Sequence, residues 1–400
     1  MPIPHHLPSS PVSRRGFAAG VGGLGLAALL PSAAASARPR RRPDVWETRA
    51  RASFAALQTY FRADDDSGLY RERYPVAAED PTYSYEWPYS QAHVAALDLA
   101  GMRGADRRDR RVLADHVRGQ QRYWSDAGST GLPGFASAPL PPYGTGGDFF
   151  YDDNEWVGLK DVQQWRMFRD RSALREAEEL FDLVVSGWDT DPDHASPGGV
   201  FWTQAPWSDD RNTVSNMPGA ELGLRLHQIT GRRYHREWAL RMYAWTNRHL
   251  QREDGLYHDH LGLDGTLEKT IWSYNQGVPV GVNVALHEVT GERRYLTEAV
   301  RIARAARSYY AVDDRLDEQP AFFNSIYFKN LLRLGAATRT SRYRDDMAAY
   351  AERMWTTRRD PATGLFGGAD GERAEMIQQA AMVQVFAVLA WAPGHLSRLY

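Results

Sequence analysis

The sequence predicts an all-α fold, an (α/α)6 toroid or barrel of about twelve alternating inner and outer helices. The first observation behind this is an internal repeat. Leu226-His227-Gln228-Ile229-Thr230-Gly231-Arg232-Arg233-Tyr234 recurs as Leu286-His287-Glu288-Val289-Thr290-Gly291-Glu292-Arg293-Arg294-Tyr295, a step of 60 residues from Gly231 to Gly291. A looser copy runs from Leu334 to Tyr343. In each copy an apolar helix stops at a short polar turn and a second helix begins; Thr-Gly stops a helix because glycine takes the left-handed C′ position without penalty. The second observation is a Gly-Leu-aromatic turn at the other end of each pair: Gly68-Leu69-Tyr70, Gly255-Leu256-Tyr257 and Gly364-Leu365-Phe366, with variants at Gly199-Val200-Phe201 and Gly131 to Phe135. The third is alternation. Helices before the short turns are apolar and glycine-rich, which suits an inner layer buried nearly all round, while those after are rich in Arg and Glu, which suits a solvated outer layer. An apolar final helix with no partner after it favours a closed ring over an open solenoid.

The elements follow in chain order. Ser13-Arg14-Arg15-Gly16-Phe17 precedes an apolar run to Leu30 and the small-residue site Ala35-Ser36-Ala37, so residues 1–37 read as a cleaved twin-arginine export signal. Residues 38–44 form a basic, proline-bearing linker, and residues 45–400 one (α/α)6 domain. Periodicity places helices near 45–62, 86–100, 106–123, 153–168, 171–187, 212–230, 234–250, 272–290, 294–310, 320–338, 341–358 and 374–391. Short hairpins are expected only in the connecting loops. After the signal no segment has the ~20 uninterrupted apolar residues of a membrane span, so no stable membrane insertion is expected.

Composition excludes several functions. With a formal net charge of −2 the 400-residue chain has no basic footprint for nucleic acid. With no cysteine there is no disulfide, thiolate metal site or cysteine nucleophile. Neither a P-loop nor a dinucleotide fingerprint occurs, and no cofactor and no metal are expected. His258-Asp259-His260 lacks a third ligand and reads as a solvated loop; Asp64-Asp65-Asp66-Ser67-Gly68 lacks the spacing of a calcium loop. The 13 Trp and 20 Tyr supply flat apolar faces with polar tips, suited to wet binding surfaces as well as to helix packing.

The longest loop, about residues 125 to 151, leads into Asp148-Phe149-Phe150-Tyr151-Asp152-Asp153-Asn154-Glu155-Trp156-Val157-Gly158-Leu159. One acidic residue here would cap the following helix. Two adjacent carboxylates, after three aromatics and before a Trp, exceed what capping requires. Glycoside hydrolysis uses two carboxyl groups, about 5–5.5 Å apart when a covalent intermediate forms with retention. Two acids this close resist ionising together, so one keeps its proton and the pair supplies one acid and one nucleophile.

Tyr151 to Leu159 resembles the signature of glycoside hydrolase family 76, the endo-α-1,6-mannanases. Trp272-Ser273-Tyr274-Asn275-Gln276-Gly277 resembles that family's W-x-Y-N-Q-G segment, and Asn216-Met217-Pro218-Gly219-Ala220 sits where the family has an Asn and small residues opening an inner helix. The resemblance covers about residues 45 to 392. It implies an (α/α)6 barrel, a retaining hydrolase of α-1,6-mannosidic linkages in mannan-type glycans, Asp152 as nucleophile and Asp153 as general acid/base. Where the family often has small or aromatic residues this chain has Glu155 and Val157, a departure expected in the cleft lining.

Substrate contacts are expected from Tyr151, Trp87, Trp156, Trp272 and Tyr274 as aromatic platforms, and from Asn216, Asn275 and Gln276 as amide ligands for sugar hydroxyls. The partner is a mannan-type polysaccharide or oligosaccharide, and the protein is expected to be a secreted monomer. Other readings are an unsaturated uronyl hydrolase or sugar epimerase on the same toroid, or a cell-surface glycan-binding protein without catalysis. An epimerase would want paired histidines facing the cavity. His227 and His287 occupy equivalent repeat positions but fall late on their helices, away from its mouth.

Overall fold

The computed structural model describes residues 44–367 and 372–400; the expected export signal, and all of the expected linker but Asp44, lie outside the described residues. Asp44 is the N-cap of the first helix, where its carboxylate accepts the Glu47 N–H at 2.8 Å. Twelve α-helices occur among the described residues. They are α1 (Val45–Phe61), α2 (Glu86–Gly101), α3 (Arg107–Gln120), α4 (Tyr151–Phe168), α5 (Arg171–Ser186), α6 (Thr213–Thr230), α7 (Arg233–His249), α8 (Ser273–Thr290), α9 (Arg293–Tyr310), α10 (Ala321–Thr338), α11 (Arg342–Thr357) and α12 (Met376–Leu389).

Burial separates the two layers. In α8 every residue from Ser273 to Leu286 is buried, whereas α9 buries the single stripe Ala299, Ile302, Ala303, Ala306 and Tyr310 at helical spacing. The even-numbered helices form the inner ring, packing in sequence from α2 through α4, α6, α8 and α10 to α12, and α12 packs back on α2. Each inner helix takes the following helix as its outer partner; α12 takes α1, which closes the circle. Gly231 and Gly291 end α6 and α8 in the left-handed region at φ 72° and 73°, as the repeat requires. At the ends of α4 and α10 Arg169 and Arg339 adopt the same geometry, at φ 60° and 57°, without glycine's freedom.

The Gly-aromatic turns prove to be half of a repeated lock. The fourth residue of α4, α6 and α8 is Asn154, Asn216 or Gln276. Each amide accepts the backbone N–H and donates to the backbone carbonyl of one loop residue. Asn154 holds Phe135 at 2.8 and 3.0 Å, Asn216 holds Val200 at 2.9 and 3.3 Å, and Gln276 holds Tyr257 at 2.8 and 3.0 Å. In α12 the fourth residue, Gln379, accepts the Phe366 N–H at 3.0 Å and donates to Ser53 O at 2.8 Å. These loop backbones are buried and would lose hydrogen bonds without the amides, each loss costing about 1–3 kcal/mol.

The loops at this end of the ring carry short strands: β1 (Arg73–Tyr74), β2 (Trp124–Ser125), β3 (Gly134–Phe135), β4 (Asp210–Asn212), β5 (His260–Gly262), β6 (Leu267–Glu268) and β7 (Ala374–Glu375). β1 pairs with β7, β2 with β3, and β4-β5-β6 form a three-stranded antiparallel sheet.

Candidate active site

The helix bearing the acidic pair begins at Tyr151, two residues earlier than periodicity places it. Its N-cap is Phe150, which offers no side-chain hydrogen bond, and the Tyr151 N–H is taken by the Trp202 carbonyl at 2.9 Å. A strap from the α5–α6 loop fixes this start: Thr203 Oγ1 donates to Phe149 O at 2.8 Å and the Gln204 N–H to the same oxygen at 2.9 Å. Asp152 and Asp153 therefore lie inside the first helical turn, where the helix dipole favours negative charge, and neither serves as the N-cap.

Both acids border a cleft of about 800 Å³. Opposite edges of the inner ring furnish two facing walls. On the α2/α12 edge stand Glu72 and Glu375, carried at β1 and β7; on the α6/α8 edge stand Asp210, Asp259 and His260, carried by the β4–β5 pair. Aromatic rings complete the lining. Tyr274 stacks on Phe323 at 3.9 Å with 7° between planes, and Trp87 meets Phe322 edge-on at 5.2 Å. No Lys or Arg of the described residues lines the cleft, and His260 is its one basic side chain.

Unmatched negative charge governs the electrostatics. Burial raises Asp152, opposed by the Asp153 N–H and the Trp202 side chain. Burial raises Asp153 well above the ordinary aspartate range, with the charges of Asp152 and Glu86 adding to the shift. Glu86, fully buried beside them, accepts from Gln120 Nε2 at 2.5 Å and is pushed up by burial. Glu155, one turn after Asp152, is pushed up by burial and then by the charge of Asp152. On the walls, burial raises Glu72 to about 7 and Asp210 to about 6. His260 is raised by its bond to Asp259, at 3.1 Å.

Asp152, Asp153, Trp87 and Tyr274 reach the cleft as the sequence suggests. The remaining expected contacts do not line it. Asn216 and Gln276 are fully buried and committed to the loop backbones described above. Asn275 donates to Asp259 Oδ1 at 3.0 Å, so it holds a cleft residue rather than facing the cleft. Tyr151 and Trp156 are core residues, and Trp272 packs against Phe323 outside the lining. The departures at Glu155 and Val157 also lie beneath the cleft, since both residues are fully buried. Asp259 and His260, read as a solvated loop, are drawn to the cleft by β5 pairing with β4. Trp202, Phe322 and Phe323 carried no signal beyond being aromatic residues near a loop or helix start. His227 and His287 bond their own turns, at Arg232 O and Glu292 O, 3.0 and 3.1 Å away. No group of three metal-ligating side chains occurs among the described residues.

A ring of helix pairs with adjacent carboxylates under an aromatic-walled cleft has the build of a glycoside hydrolase. The profile of glycosyl hydrolase family 76 matches residues 45–387, and the chain belongs to that family. It is similar to the mannan endo-1,6-alpha-mannosidase DCW1 of Saccharomyces cerevisiae, at 27% identity over 143 residues, 34% of this chain and 31% of that protein. The chain thus spans about a third of the length of that curated relative. The family 76 mannosidase Bt3792 of Bacteroides thetaiotaomicron shares the fold, with a TM-score of 0.76 at 23% identity over 87% of this chain and 98% of that one. So does an inactive variant of the α-1,6-mannanase of Salegentibacter sp., with two Asp→Asn replacements and bound α-1,6-mannotriose; the TM-score is 0.67 at 19% identity, over 86% and 99% of the two chains.

Proposed function

We propose that this protein is a secreted, retaining hydrolase of α-1,6-mannosidic linkages in mannan-type glycans, with Asp152 as nucleophile and Asp153 as general acid/base. The observation that carries the reading is the placement of two consecutive carboxyl groups at a cleft floor where burial raises both and Asp153 is raised further by the charge of Asp152. Of such a pair one member ionises while the other keeps its proton.

In the first step an ionised Asp152 oxygen bonds to the anomeric carbon as the glycosidic C–O bond breaks. The bonding pair leaves with the departing oxygen, which takes the Asp153 proton. In the second step Asp153, now ionised, takes a proton from water. The water oxygen bonds to the same carbon, and Asp152 departs as carboxylate. Two displacements at one carbon restore the starting configuration. Trp87, Tyr274 and Phe323 give the sugar rings apolar faces. Residues 1–37 as export signal, 38–44 as linker and 45–400 as the catalytic domain complete the proposal, together with a monomeric, extracellular enzyme. No helix among the described residues is long and apolar enough to cross a membrane.

Incubation with linear α-1,6-mannan, with products sized and their first-formed anomer read by NMR, tests the activity. Shorter mannosides with α configuration are expected. An inverted product would overturn the double-displacement assignment, and an untouched polymer the substrate. Replacing Arg14 and Arg15 by Lys is expected to retain the protein inside the cell; undiminished secretion would overturn the twin-arginine route.

A further inference from the structure

Among the groups bordering the acidic pair, Trp202 has no place in the reaction just described. It stands in the α5–α6 loop, lines the cleft and is 38% exposed. Its indole Nε1–H points at Asp152 Oδ2 at 3.3 Å, the one side-chain donor to this carboxylate among the described residues, beside the backbone N–H of Asp153. The backbone of Trp202 is held as well. Its carbonyl accepts the Tyr151 N–H at 2.9 Å, and Thr203, next in the chain, bridges to Phe150. The indole is packed edge-on against Phe150 at 5.1 Å and Trp207 at 6.0 Å. Backbone and ring are thus fixed to the segment that delivers the acids, and the N–H meets the carboxylate from outside the helix.

We propose that Trp202 is the positioning residue for Asp152: its N–H orients the carboxylate at the cleft, while its ring forms part of the sugar-binding wall. The inference rests on the reading of Asp152 as nucleophile. A hydrogen bond donated to a carboxylate favours the charged form, and it also stabilises Asp152 as it departs from the glycosyl-enzyme. In the first step the bond Asp152–C1 forms as C1–O breaks, with the proton passing from Asp153 to the leaving oxygen. In the second, C1–Asp152 breaks and the electron pair returns to the carboxylate facing the indole N–H. Loss of the donor therefore penalises both the ionised resting state and the second step.

Two variants separate the two roles. Trp202→Phe keeps an aromatic ring and removes the donor; Trp202→Ala removes both. For the full chain, the Asp152 carboxyl is followed by 13C NMR against pH, assigned by its absence in Asp152→Asn, and kcat and KM on α-1,6-mannan are measured across pH. With Phe, the Asp152 titration and the acidic limb of kcat/KM are expected to move up together by about 0.5–1 pH unit, the equivalent of one hydrogen bond, with KM nearly unchanged. Ala is expected to add a rise in KM. Thermal melting at the pH optimum verifies that both variants are folded. An unmoved Asp152 titration in a folded Trp202→Phe protein overturns the proposal, as does a KM effect alone. If the unmutated protein leaves mannan intact, the substrate reading falls, and the NMR titration still decides the role of Trp202.

Discussion

The two depths of the inner ring handle buried charge in opposite ways. At the mouth Glu86, Asp152, Asp153 and Glu155 crowd the starts of α2 and α4, and neither Asp152, Asp153 nor Glu155 has a basic side chain bonded to it. Deeper in the ring each carboxylate meets a cation. Asp98 pairs with Lys329 at 2.7 Å and accepts from Gln163 at 2.7 Å; Lys329 also donates to Gln384 at 2.8 Å. Glu221 bonds Arg333, and Arg225 bonds Glu288 at 2.7 Å. These pairs join all six inner helices: the Asp98–Lys329 group links α2, α4, α10 and α12, and the bonds of Glu221 and Arg225 link α6 to α10 and α8. The unmatched ones are all raised by burial, so that among neighbours this close one can ionise while another holds its proton. The same residue types are thus crowded without partners at the mouth and paired with cations in the deeper layer, which is the contrast that the proposed catalytic role of the mouth rests on.

The largest expected effect lies at the mouth. Asp152→Asn and Asp153→Asn should each reduce kcat/KM by roughly 10³-fold or more with little change in melting temperature, because neither acid caps the helix. Azide should restore turnover with retention in Asp153→Ala and not in Asp152→Asn, since azide needs no base. In the unmutated enzyme activity should fall at low pH as Asp152 gains a proton and at high pH as Asp153 loses one. Burial moves both limbs above the ordinary aspartate value.

At the deeper layer the expected loss is stability. Lys329→Met strands Asp98 and should cost about 3–5 kcal/mol in urea unfolding, while Asp98→Leu with Lys329→Met should recover much of it. A smaller effect with a pH signature is expected at Glu86, whose folded-state value is raised from 4.5 to about 8. Between these values the folded chain holds a proton that the unfolded chain has lost, so stability declines as pH rises through the window. Glu86→Gln should remove that decline and raise the melting temperature by a few degrees at pH 8.5 and scarcely at pH 4, as calorimetry would show; equal gains at both would contradict the charge account. The smallest effect is expected at the rim, where Asn275→Ala releases Asp259. KM for mannan should rise less than about fivefold and kcat should hold.

The ring was readable from sequence because its repeat is written in local signals: Gly231 and Gly291 must turn left-handed, and Ala299, Ile302, Ala303 and Ala306 must share a face. The acidic pair was readable because two consecutive carboxylates have no economical structural use. What sequence concealed depends on partners far along the chain. The start of α4 is set by the Trp202 carbonyl, some fifty residues on, so the acids sit deeper in the helix than periodicity suggests. Asn216 and Gln276 have the chemistry of sugar ligands, and only their loop partners reveal that they are structural. His260 looks solvated until β4 pairs beside it.

The amide locks join residues 13 to 19 positions apart, so most of the ring can be stitched locally. The last helix is different. Gln379 reaches back 326 residues to Ser53, and Gln384 and Trp391 reach back 293 to Gln91 and Asp98. Closing so long a loop costs only about 2.5 kcal/mol more than closing one of the local locks, because the entropy grows logarithmically. Left open, however, the arc would present α12, whose residues are apolar and buried almost all round, to water. An exposed apolar surface of that size is an aggregation hazard. Damage at this junction should therefore reveal itself first as lost solubility, before any loss of catalytic competence in the molecules that stay closed.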